Sequence, residues 1–216
     1  TFTISSDGTS IVQVDTLEHD TVRGQHNSLV HVDSDTYALA YTGEDEDGFI
    51  STFTIDSDGN ITAVKTQSEG NNLEHDADQG VASVLHNSLV KVDSNTIALA
   101  YAGAGEDGFI STFTISSSGV ITPIQIQNHA NTSEEDDVAN IEHDEDRASH
   151  NSLVQVVSDT YALAYTSHGE DGFISTFTIS SSGVITPIQI QNHANTTEED
   201  DVANLEHDEN KGMHNS

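Results

Sequence analysis

The segment GFISTFTI occurs at 48–55, 108–115 and 172–179, and its last four residues, TFTI, also open the chain at 1–4. ALAY recurs at 38–41, 98–101 and 162–165. The stretch 108–140 matches 172–204 at every position except Ser133 against Thr197. Repetition at this period means that one small supersecondary unit is used several times. Each unit then buries its apolar surface against its neighbours rather than in one thick core. The composition agrees, since hydrophobic residues are 34% of the chain and Trp is absent.

Within residues 26–85 the pattern divides into four strands: SLVHV (28–32), YALAYT (37–42), FISTFTI (49–55) and ITAVKTQ (61–67). β-Branched and aromatic residues fill them, and Asp, Ser, Asn and Gly fill the gaps. Asp7-Gly8, Asp58-Gly59 and Ser118-Gly119 read as hairpin turns, because Gly supplies the positive φ that such turns need. Tight links join the four strands into an antiparallel meander, and a long connection, about 68–87, then leads to the next unit. The second strand carries Tyr37, Leu39 and Tyr41 on one face and Ala38 and Ala40 on the other. A sheet with one large and one small apolar face is buried on both sides. Pro123 and Pro187 stand in the fourth strand, which is therefore an edge.

On these residues the unit resembles a β-propeller blade. It is most similar to the tandem LEHD…NSLV…ALAY…DGFI…TFTI repeats of large bacterial surface or secreted proteins of unassigned role. The resemblance implies an all-β propeller of four-stranded antiparallel blades. About three and a half blades are expected: a partial one over 1–25, full ones over 26–85, 86–149 and 150–213, and the start of another at 214–216. Closed propellers use about four to eight blades. The expectation is therefore a piece of a longer tandem array whose exposed faces drive self-association. The resemblance also implies an extracellular or cell-surface location.

Charge narrows the partners. There are 37 acidic residues against 5 basic ones, a net charge of −32. Nucleic acid and bare anionic membranes are excluded as partners, while cations are attracted. With no cysteine, there are no disulfides or thiolate metal sites. No apolar run approaches the roughly 20 residues of a membrane span.

LEHDTVRGQHNSLV (17–30) poses the main site question. His19, His75, His143 and His207 each stand between Glu and Asp, and each is followed by a second His: His26, His86, His150 or His214. The spacings are 7, 11, 7 and 7 residues, and a locally closed metal site would not tolerate four extra residues. The better reading is a joint between units, with EHD ending the crossing and HNS beginning strand one. In that reading Asn and Ser side chains satisfy open backbone groups.

GEDEDGF (43–49) and its copies supply the candidate calcium ligands Glu46, Asp47, Glu106, Asp107, Glu170 and Asp171. Oxygen ligands around a glycine suit calcium. The competing reading is a plain turn that needs Asp and Gly for its conformation. The acidic knots Glu134–Asp137 and Glu198–Asp201 read as solvated loops. Thr52 and Thr54, with Thr112 and Thr114, would make a flat water-ordering array only if the units stacked flat.

Nothing outside the repeat gathers a nucleophile, a phosphate loop or an anion-stabilising base. The expectation is a non-catalytic binding or structural module with no cofactor, its ligand an unidentified glycan or protein. A calcium-dependent adhesive module comes second, and a hydrolase on a propeller scaffold comes a distant third.

Overall fold

The computed structural model describes residues 1–66, 72–76, 85–125, 141–144, 147–189 and 205–208. It is all-β. A short pair, β1 (Phe2–Ile4) and β2 (Ile11–Gln13), precedes three units of five strands each. The first unit holds β3 (Gln25–Asp33), β4 (Thr36–Thr42), β5 (Gly48–Ile55), β6 (Ile61–Lys65) and β7 (Leu73–Asp76). The second holds β8 (Leu85–Lys91), β9 (Thr96–Ala102), β10 (Gly108–Ile115), β11 (Ile121–Gln125) and β12 (Ile141–Asp144). The third holds β13 (Ser149–Val157), β14 (Thr160–Thr166), β15 (Gly172–Ile179), β16 (Ile185–Gln189) and β17 (Leu205–Asp208). Neighbouring strands are antiparallel throughout. No helix among the described residues is long and apolar enough to cross a membrane.

The four-strand division needs correction. LEHD is not the end of a crossing but a fifth strand. The fourth strand, β6, pairs only with Thr52–Ile55 of β5, and β7 pairs with Gly48–Ile50. The physical reason is length. β5 has eight residues and β6 has five, so β6 leaves backbone groups of β5 open, and β7 closes them. The same split recurs around β10 and β15. Pro123 pairs opposite Phe113 on the outer strand β11, an edge position that its missing N–H permits.

Units interlock face to face. Ala38, Ala40 and Ile50, the small face of the first unit, pack against Leu99, Tyr101 and Phe113, the large face of the second. Ala98, Ala100 and Ile110 meet Leu163, Tyr165 and Phe177 in the same way. The hairpin turns join in. Thr52 Oγ1 donates to the carbonyl of Gly119 at 2.9 Å, and Thr112 Oγ1 to that of Gly183 at 2.7 Å. These threonines are buried in the joint and form no exposed array. Gly119 has φ +73°, and a Cβ there would stand 2.5 Å from Val64. Both the turn conformation and the closeness of the preceding unit require glycine there.

Candidate functional site

The two halves of the LEHD…HNS stretch go to different places. Among the described residues, three EHD histidines reach into the next unit and meet the tyrosine of ALAY edge to face. His19 meets Tyr41, His75 meets Tyr101 and His143 meets Tyr165, each with ring centroids 4.7 Å apart. His75 and His143 are buried. Burial also lowers the pKa of His19.

Among the described residues, the HNS histidines His26, His86 and His150 meet one another instead, the first pair edge to face and the second tilted. His26 lies 4.9 Å from His86, and His86 lies 4.4 Å from His150, between ring centroids. Each stands at a register shift in its strand with φ between +51° and +57°. A bulge of this kind turns a side chain out of its ordinary alternation. The result is a column of imidazoles running along β3, β8 and β13, the first strands of consecutive units. Sequence reasoning missed this column, because a histidine in the left-handed region carries no signal as glycine does.

The Asn and Ser that follow tie the units together. Ser28 Oγ accepts from the Leu89 N–H and Ser88 Oγ from the Leu153 N–H, both at 2.9 Å. Asn87 Nδ2 donates to the His26 carbonyl at 3.2 Å. Asn27 and Asn151 instead bond locally, donating to the carbonyls of Gly24 and Ala148 three residues back, each at 3.0 Å. Replacing Ser88 with Ala leaves the Leu153 N–H without its acceptor and is expected to cost about 1–3 kcal/mol. Ser152 holds the same place in the third unit and accepts no such bond among the described residues. Ser152→Ala should therefore stay within about 0.5 kcal/mol of the wild type. Urea denaturation of both variants checks the difference, and equal losses would refute the joint role of Ser88.

The acidic stretches form short turns at Glu44–Glu46, Ala104–Glu106 and His168–Glu170, whose last two residues are left-handed rather than helical. Glu46 forms an ion pair with Arg23 at 2.5 Å, and Glu106 with Arg147 at 3.2 Å. Glu46, Glu106 and Glu170 all have φ near +70°. The backbone carbonyls of Asp47, Asp107 and Asp171 accept from Gly43, Gly103 and Ser167, each at 2.9 Å. The left-handed residues of these turns are thus the glutamates and the residues before them. The glycine of DGF is instead the first residue of a strand. Among the described residues, no group of three or more His, Asp or Glu is gathered closely enough to hold a metal ion. The acidic knots Glu134–Asp137 and Glu198–Asp201 lie outside the described residues.

An open apolar hollow of about 190 Å³ lies on the first unit, lined by Leu17, His19, Leu29, Tyr37, Leu39, Phe53, Ile55 and Ile61.

No family model matches the chain, and no curated protein matches it. Among solved structures it is similar to an endo-1,4-β-xylanase from Bacteroides thetaiotaomicron, at 14% identity and a TM-score of 0.45. The match covers 85% of this chain and 65% of that one. The expectation of a non-catalytic binding or structural module is withdrawn on this finding, because the structure that the chain resembles bears the name of an enzyme. Nothing more is taken from the likeness, and no activity passes from it to this chain.

Proposed function

We propose that the units are blades of the β-propeller type and that the chain accepts one further hairpin of its own repeat. One observation carries this reading. Leu29 is 57% exposed, whereas its counterparts Leu89 and Leu153 are 9% and 7% exposed. In the second and third units the preceding unit's first two strands cover this face. Among the described residues, β1 and β2 stand in front of the first unit. Thr1 Oγ1 donates to the Gly59 carbonyl at 2.5 Å, as Thr52 does to Gly119. So β1 and β2 occupy the place that β5 and β6 hold before the second unit, and none of the described residues fills the place beside them that β3 and β4 hold there.

The occupant follows from that geometry. A whole unit does not enter, because its third and fourth strands would coincide with β1 and β2. A hairpin like residues 25–42 fits. Its small face, the counterpart of Ala38 and Ala40, fills the hollow, and its second strand pairs with β1. Among the described residues β1 pairs only with β2, which leaves its other edge for strand addition.

The test is a fluorescently labelled peptide of residues 25–42 titrated into the chain. Saturable one-to-one binding is expected. Leu29→Asp, on an exposed side chain, should weaken it at least about tenfold, as expected for a charge placed in an apolar contact. No saturation with the wild type, or equal affinity in the variant, would refute the reading.

A further inference from the structure

We infer that the histidine column is an acid-sensitive joint, in which protonation of the imidazoles drives consecutive units apart along their first strands. The inference is independent of hairpin uptake, because the column lies within one chain.

Geometry carries it. His86 is held between His26 and His150, at 4.9 and 4.4 Å between ring centroids. Each ring comes from a different unit, so every contact in the column is a contact between units. The column adjoins the bonds that hold the units together. Asn87 donates to the backbone of His26, and Ser28 and Ser88 accept from Leu89 and Leu153 of the following strands. The rings are put there at a cost, since all three histidines hold positive φ, which side chains other than glycine's resist.

Among the described residues, the groups found to act on His26 and His86 do not offset added positive charge. The charged groups found to act on His26 and His86 among the described residues are Arg23, Arg147 and the other column histidines. Both arginines are already tied to glutamates, Glu46 and Glu106. His150 bonds through Nδ1 to the Ser149 hydroxyl at 3.2 Å. Burial, then the neighbouring imidazoles and Arg147, push His86 down to about 4, and burial with Arg23 lowers His26. His26 and His86 are therefore neutral near pH 7.

The pH dependence follows from the sign of that shift. Between the ordinary histidine value of 6.5 and about 4, the unfolded chain binds a proton at His86 that the folded chain refuses. Stability is full above 6.5, falls as the pH drops below it, and the loss is complete once the pH passes below about 4.

The experiment compares the wild type with His86→Asn, at a dilution where light scattering gives a monomer. Asn tolerates positive φ and takes up no proton. From about pH 7 to about pH 4.5, the folded-to-unfolded ratio of the wild type should drop at least about tenfold further than that of the variant. Discharge of the carboxylates acts on both proteins and cancels. Amide exchange at Leu89 and Leu153 should quicken in the wild type over the same window. Parallel pH profiles, or a His86 ring proton titrating at 6.5 or above in the wild type, would overturn the inference. If the variant does not fold, the wild-type titration decides alone: a midpoint well below 6.5, with faster exchange at Leu89, supports it.

Discussion

Phe113→Ala is expected to destabilise the chain by about 3–5 kcal/mol, the range for truncating a buried aromatic ring. Phe2→Ala is expected to cost less than about 0.5 kcal/mol, as surface substitutions do. The two phenylalanines occupy the same position of the same TFTI motif, yet Phe113 is 0% exposed and Phe2 is 64% exposed. Phe113 belongs to the layer in which Ala38, Ala40 and Ile50 of the first unit meet the second, and its ring lies 6.3 Å from that of His75. Truncation opens a void that neither unit can fill without separating from the other. Chemical denaturation measures both variants, and similar losses would show that packing between units is not what stabilises the array.

Gly108→Val is expected to cost about 3 kcal/mol or more, through overpacking of a closed site. Gly108 begins β10 and pairs with both Ala102 and Asp144. A Cβ added there would stand 2.4 Å from the Cβ of Ala148 and 2.4 Å from Cε1 of His143. Both neighbours are buried and have nowhere to move. Gly8→Ala is the control. Its φ is +70°, but the space around it is open, so only turn strain remains, roughly 1 kcal/mol. Urea midpoints of the two variants check this. A Gly108→Val protein as stable as Gly8→Ala would mean that the strand start has room to open.

The glycines of GEDEDGF and its copies divide between two roles. Asp and Gly after a strand read as turn chemistry, and Gly105 and Gly169 hold the positive φ of that turn, beside Asp45 and the three glutamates Glu46, Glu106 and Glu170. The glycine of DGF has a different role. Gly108 is needed for space. Closeness of approach is a relation between segments far apart in the chain, and no local pattern encodes it.

Determined by the sequence alone were the period, the strand-forming stretches, the hairpin glycines and the two unequal faces of ALAY. These depend on neighbours within a few residues, where β alternation and turn sterics act. The joint role of EHD and HNS was also legible, from spacings too uneven for a local metal site. The tertiary structure alone decided the rest. LEHD became a fifth strand because an eight-residue strand outran its five-residue partner. His26, His86 and His150 became a column because bulges in separate units turned them toward one another. Leu29 stayed open while Leu89 and Leu153 were covered, although all three stand in the same HNSLV motif. Identical residues acquired different environments because burial is set by what stands in front of a unit, and that is a property of the array rather than of the repeat.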